Sequence, residues 1–267
     1  MKTYDFIFGL GRACACTQTL RRAGLQYLSL PWDWIAVDFD HNSPDMLYRV
    51  DIICNDFKDW FNREDFVYRG PNAGPGKDHY QNARNGVIFL HDFPKDVPLD
   101  ESFPAIKEKY ERRVSRFMQL IKSAQRPILV VCMDSPMASS TPLDDCRAAR
   151  RRLAEHFPNA KFEFLKITLE PGRKASDRID ETVEDGLYHI AFDYKDYRPG
   201  RKEYDVDQET VAALLKEKFA VRDYRTKDEI RAMRERTRQI KMKEAGASSR
   251  LEYFFIRMKR HLGKLFG

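Results

Sequence analysis

The segment Gly9-Leu10-Gly11-Arg12-Ala13-Cys14 holds the residues best suited to do chemistry. It follows the apolar alternation of residues 4–8 and opens a helical stretch that Gly24 ends, which places Cys14 in the first turn of a helix leaving a strand. A helix N-terminus favours a thiolate, and Arg12 adds positive charge beside it. Free amides in the same turn could hold the oxyanion of an acyl-transfer intermediate. Three other readings stay open. Cys14 and Cys16 can be small buried residues. The turn can hold a phosphate, as a dinucleotide loop does, with Cys14 where the third glycine would stand. Gly9 and Gly11 can also do no more than permit a compact turn.

A base is available at His91, where the apolar run of residues 87–90 stops at the rim of a sheet. A structural histidine fits the position equally well. Asp92 is poorly placed to orient His91, because neighbours on a strand point to opposite faces. Pro31-Trp32-Asp33-Trp34 sets a carboxylate between two indoles. Asp33 could orient His91 or meet a cationic or hydroxyl-bearing substrate, while Trp32 and Trp34 could line a sugar- or peptide-binding wall. The alternative is a pair of core aromatics around a turn-capping carboxylate. Asp38, Asp40, His41 and Asp45 match no defined ligand spacing and read as a solvated loop, so no metal and no cofactor is expected.

The elements that must position these residues alternate in type. Strands are expected at 4–8, 87–90, 128–133, 161–169 and 188–192, with helices at 14–23, 106–123, about 141–156 and 208–219. In the second helix Tyr110, Val114, Phe117 and Ile121 repeat at helical spacing. Thr141-Pro142-Leu143-Asp144 reads as an N-cap, a first-turn proline and an acid for the third. Such alternation predicts an α/β fold, with a mixed or largely parallel sheet covered by helices. The stretch between Pro31 and Asn85 breaks the rhythm, and residues 70–76 read as a mobile loop.

Of 47 basic and 41 acidic residues, 14 and 6 lie from Arg222 onward, so the basicity sits in the tail. That argues against a nucleic-acid partner for the body. Two domains are expected, an α/β domain over 1–221 and a basic helical tail over 222–267. In the tail, residues 246–249 read as a hinge. Leu251, Phe254, Phe255, Met258, Leu262, Leu265 and Phe266 then form one stripe among basic residues. Residues 250–266 could therefore lie on an anionic membrane surface, or dock on protein. The five cysteines include no Cys-x-x-Cys, so free thiols are expected. No apolar run approaches ~20 residues, and Asp5 interrupts any signal-peptide core, so a cytoplasmic protein is expected, with peripheral inner-membrane docking left open.

Four blocks taken together carry a resemblance: Gly-Leu-Gly-x-x-Cys14 with Leu20 six residues on, Pro31 to Trp34, Phe89-Leu90-His91-Asp92, and Tyr110-Glu111-Arg112-Arg113-Val114-Ser115-Arg116-Phe117. Over about residues 4–170 the chain resembles a bacterial domain family of unknown function classed as papain-like cysteine peptidases. Members typically carry Ser where Gly9 stands and Phe where Trp32 stands. The resemblance implies a cysteine-dependent hydrolase or acyl-transfer enzyme acting on a peptide or acyl substrate. In it Cys14 would be the nucleophile, His91 the base, and Asp33 or Asp92 the orienting acid; Cys16 matches no required position. It also implies a rival reading, since members often accompany surface-polysaccharide pathways. That rival is a glycosyltransferase whose substrate-binding residues Gly9, Gly11 and Arg12 hold a nucleotide sugar near a glycan. The stretch 128–169 suits a three-layer doubly wound sheet better than a papain-like architecture.

Overall fold

A computed structural model describes residues 1–11, 14–37, 45–71, 76–136, 140–203 and 205–223, with scattered positions between 228 and 258. Its contacts divide the chain into two units, Met1–Arg222 and Asp223–Gly267.

The first unit begins with β1 (Lys2–Tyr4), β2 (Phe6–Gly9), α1 (Cys14–Arg22), β3 (Ile35–Val37) and α2 (Asp45–Cys54). Next come β4 (Phe66–Pro71), β5 (Lys77–Asn82), β6 (Val87–Pro94), α3 (Leu99–Ser123), β7 (Ile128–Met133) and α4 (Leu143–His156). It closes with β8 (Phe162–Leu169), β9 (Ile179–Glu184), β10 (Leu187–Phe192), α5 (Gln208–Lys218) and β11 (Phe219–Val221). The main sheet has the order β2-β7-β8-β10-β9, and only the edge strand β9 runs antiparallel. A second sheet, β3-β6-β5-β4, is wholly antiparallel, and β1 pairs with β11. The fold is α/β with mixed sheets.

Two apolar layers flank the main sheet. Cys16 and Leu20 of α1 and Val211, Ala212 and Leu215 of α5 pack with Ile7, Val131, Leu165 and Ile190. Cys146, Ala149 and Leu153 of α4 and Phe117 of α3 pack on Phe8, Val130 and Phe164 across the other face. Alternation along β2 and β7 sends successive side chains to these opposite layers. After the neighbouring strands β2 and β7 the chain therefore departs to opposite faces. That is a topological switch point, where an open α/β sheet leaves a crevice beyond the carboxyl ends of its strands. Cys14 begins the helix on one side of it.

Four expectations change. The apolar strand does not stop at His91-Asp92: β6 runs on to Pro94, so His91 lies within the strand rather than at its end. The strand over 4–8 is two strands, because Asp5 is buried and its carboxylate accepts the amides of Gln125 at 2.7 Å and Arg126 at 2.9 Å. The 106–123 helix starts earlier, at Leu99, and carries Pro104 inside it. Thr141 is not the N-cap of α4; Pro142 takes that position, and the Thr141 amide donates to Asp134 at 3.1 Å. The irregular stretch before Asn85 supplies β3, β4 and β5 of the antiparallel sheet, whose Phe66 and Phe89 pack against Phe103 and Tyr110 of α3. Part of the expected 70–76 loop, residues 72–75, lies outside the described residues.

In the second unit, residues 251–254 are helical. Ser248 donates its amide and hydroxyl to Glu252, each at 2.7 Å, and the Glu252 amide donates to the Ser249 hydroxyl at 3.2 Å, which caps this turn. Leu251, Phe254 and Met258 are exposed. Most of the tail, and so the expected helical extension as a whole, lies outside the described residues.

Candidate active site

The glycine turn is shaped by a cysteine, though not by Cys14. A Cβ on Gly9 would come within 2.7 Å of Cys16 Sγ, and one on Gly11 within 2.8 Å of Cys16 Cβ and 3.0 Å of the Met133 carbonyl. The Cβ-free faces of both glycines therefore look into the protein, where they let α1 settle on β2 and β7. Cys16 donates its thiol to the Val131 carbonyl at 3.7 Å, and burial pushes that thiol up to about 12. Cys16 is thus an inert packing residue. From α2 the wholly buried Arg49 donates to the Gly11 carbonyl at 2.7 Å, with its guanidinium 5.8 Å from the Trp32 ring centre. Arg12, expected beside the thiol, lies outside the described residues.

Cys14 is the first residue of α1 and is half-buried. Burial pushes its thiol up from the ordinary value, and a hydrogen bond to its own backbone opposes this. At rest the group is therefore a thiol rather than a preformed thiolate. Cys14, Thr17 and Arg21 stand three and four residues apart, which puts them along one face of α1. Thr17 and Arg21 both grip Asp33, at 3.3 Å and 2.9 Å. Gln26 donates to the same carboxylate at 2.7 Å and the Leu30 amide at 2.8 Å. Burial raises the Asp33 carboxyl, and the Leu30 amide, Arg21, Gln26 and Arg113 work against the rise. Asp33 is therefore the anchor that ties the segment of Trp32 and Trp34 to the cysteine helix.

That segment leads to His91. The Arg21 guanidinium lies 5.4 Å from the Trp34 ring centre, and Trp34 meets the His91 ring edge-on at 6.0 Å and 89°. The register of β3 on β6, Ile35 opposite Phe89, explains the meeting, since residues just before β3 fall beside residues just after Phe89. His91 is exposed. Among the described residues no hydrogen bond joins it to Cys14, Asp33 or Asp92. Asp92 points the other way, as alternation predicts: it is buried and accepts the Tyr110 hydroxyl at 2.7 Å and the Lys109 ammonium from α3. Trp32 packs in the aromatic core on Phe57 at 5.6 Å and Trp60 at 4.9 Å, so it is not part of an open wall.

The sequence reading missed Arg21, Arg49 and His79. Arg21 was legible as the residue one helical repeat after Cys14. His79 of β5 carries no motif. Burial, and next the neighbouring His91, lower its imidazole, Asp78 raises it, and its Nε2 is buried without a hydrogen-bond partner among the described residues. Among the described residues no group of three or more His, Cys, Asp or Glu side chains could hold a metal.

All four blocks thus converge. The helix that Cys14 begins and the Trp segment meet through Asp33, the Trp segment meets His91 through Trp34, and the Tyr/Arg helix holds Asp92 and, through Arg116, the Ser29 carbonyl at 3.4 Å. A family model described as "putative papain-like cysteine peptidase", a domain of unknown function, matches residues 5–138. The chain belongs to that family. The papain-like family segment runs from β2 past the end of β7 and contains Cys14, Asp33, His91 and Asp92. No curated protein and no solved structure matches the chain. Among the described residues no helix is long and apolar enough to cross a membrane.

Proposed function

We propose that the chain is a cysteine-dependent acyl hydrolase or transferase, with a peptide or related acyl compound as substrate, Cys14 as nucleophile and His91 as base. The observation that carries this reading is the linkage from the Cys14 helix through Arg21 and Trp34 to the His91 ring, inside the segment matched by a cysteine-peptidase family. The position of Cys14 at a sheet switch point supports it further.

In this mechanism His91 takes the Cys14 proton as the sulfur attacks the substrate carbonyl. Amides in the first turn of α1 face the resulting oxyanion. The carbon–nitrogen bond breaks as the imidazolium gives its proton to the leaving amine. Water, deprotonated by the same ring, then cleaves the thioester and restores the thiol; an amine in place of water gives transfer. Because burial raises the resting thiol, His91 acts as a general base at the moment of attack rather than as the partner of a preformed thiolate. Asp33 acts one step back, through Arg21 and Trp34, and is a positioning residue.

Treating the full chain with a peptidyl vinyl sulfone tests this. The expected adduct maps to Cys14, disappears in Cys14→Ala, and forms about 10²-fold more slowly in His91→Gln. Alkylation of Cys14 no faster than free cysteine, or indifference to His91→Gln, would overturn the assignment.

For the tail we propose that residues 222–267 form a separate basic segment that meets an anionic membrane surface. The exposed Leu251, Phe254 and Met258 support this. Flotation with phosphatidylglycerol vesicles should fall at least about 10-fold in Leu251→Asp/Phe254→Asp; unchanged flotation removes the idea.

A further inference from the structure

Across the far half of the main sheet lies a hydrogen-bonded relay that neither the family motif nor the proposed site uses. Thr168 Oγ1 stands 3.0 Å from His189 Nε2, and His189 Nδ1 stands 3.2 Å from Glu181 Oε1. A carboxylate only accepts, so Nδ1 carries the hydrogen. In the neutral ring Nε2 is then left to accept the threonine hydroxyl proton. This is the arrangement of a nucleophile, a base and an acid that orients the base.

Three adjacent strands fix it. In the parallel pair β8–β10, His189 stands opposite Lys166 and Ala191 opposite Thr168; in the antiparallel pair β10–β9, His189 stands opposite Glu181. Alternation along β8 puts Lys166 and Thr168 on the face that α4 covers, opposite the face that carries α1 and Cys14. Lys166, held by Asp134, adds a positive charge to that face. The relay is open at one end: the His189 side chain is 13 % exposed and that of Glu181 55 %.

We propose that Thr168, His189 and Glu181 form a second acyl-transfer centre, threonine-based, that acts on esters of small carboxylic acids. Thr168 Oγ1 attacks the ester carbonyl while His189 Nε2 takes its proton. The bond to the leaving alkoxide breaks as the imidazolium returns that proton, leaving an acyl-threonine ester. Water, deprotonated by the same nitrogen, then releases the acid and restores the hydroxyl. His189 is only 13 % exposed, so a short acyl group is the one expected to reach its ring. This centre does not rest on the Cys14 assignment.

A fluorophosphonate probe tests it on the full chain, because such reagents label activated hydroxyls and leave thiols alone. The phosphorus–fluorine bond breaks, an oxygen–phosphorus bond forms at Thr168, and fluoride leaves as His189 takes the proton. The expected result is one adduct, mapped by peptide mass spectrometry to Thr168. It should form about 10²-fold more slowly in His189→Gln and about 10-fold more slowly in Glu181→Gln. Thr168→Ser keeps a hydroxyl at the same place and should still label, which guards against a folding defect in Thr168→Ala. An adduct elsewhere, no adduct, or a rate unmoved by His189→Gln would reduce the relay to a structural cross-strand contact.

Discussion

The two sheets differ in how they treat their buried carboxylates and their histidines. In the main sheet Glu163 is wholly buried, yet it accepts Lys2 and Tyr4, each at 2.8 Å, and Tyr188 at 3.1 Å. Asp134 likewise takes Lys166, the Ser140 hydroxyl at 2.6 Å and the Thr141 amide. In the antiparallel sheet His79 Nε2 is buried without a hydrogen-bond partner among the described residues, and its neighbour His91 is exposed and meets the Trp34 ring edge-on. A buried polar group without a partner costs stability, so it marks a place where packing alone did not decide the residue. Around Glu163 and Asp134 the main sheet is a satisfied scaffold, whereas β5 and β6 of the smaller sheet carry His79 and His91 with fewer polar contacts.

The largest test of that contrast breaks a scaffold pair. Lys166→Met leaves Asp134 without its buried cation and should cost about 3–5 kcal/mol in urea unfolding. Lys166→Met/Asp134→Leu, which removes both charges, should recover most of the loss. A single-variant cost below about 1 kcal/mol would mean that Ser140 and Thr141 satisfy the carboxylate by themselves. The next test concerns the seat of α1. Gly9→Ala forces a methyl against Cys16 and should cost about 1–3 kcal/mol. Adding Cys16→Ala removes the obstructing sulfur, so the two changes should couple favourably. Simple additivity would show that the glycine serves something other than this contact.

How far the sequence foretold this architecture depended on whether a feature was periodic or relational. The helix bearing Tyr110 and Phe117 and the strands of 128–133 and 161–169 carry strong local periodicity; the strands stand where expected, and the helix does so apart from its earlier start at Leu99. The hairpin of β4 and β5 was not visible, because Lys77-Asp78-His79 offers no apolar alternation and Gly70 marks a register shift. The edge strand β9, Ile-Asp-Glu-Thr-Val-Glu, is too polar to announce itself. Around Cys14 the turn was legible but its cause was not. Gly9 and Gly11 fit a phosphate loop as well as a packing contact until Cys16 is seen filling the space beside them. Asp92 was correctly read as facing away from His91, while its partners Tyr110 and Lys109 lie on a helix that no local pattern ties to it.

The smallest effects give the finest version of the contrast, because the two sheets should lose stability in different pH windows. His79 has its folded-state value lowered, by burial first and by His91 second, so the native state binds fewer protons than the unfolded chain. Stability must then decline as pH falls through the unfolded histidine value near 6.5 toward the folded one. Glu163 also has a lowered folded value: burial pushes its carboxyl up, but Lys2, Tyr4 and Tyr188 outweigh that. Its contribution is present above the unfolded glutamate value and is lost only as pH falls below about 4.5 through the folded value. His79→Gln should therefore flatten the decline between about pH 7 and 5.5 and leave the acid limb intact. Glu163→Gln should do the reverse, at a lower stability throughout. Urea midpoints taken from pH 7.5 to 3.5 for both variants and the parent check this. If His79→Gln leaves the upper window unchanged, the β5 imidazole already has a partner in solution, and the contrast between the two sheets fails at that residue.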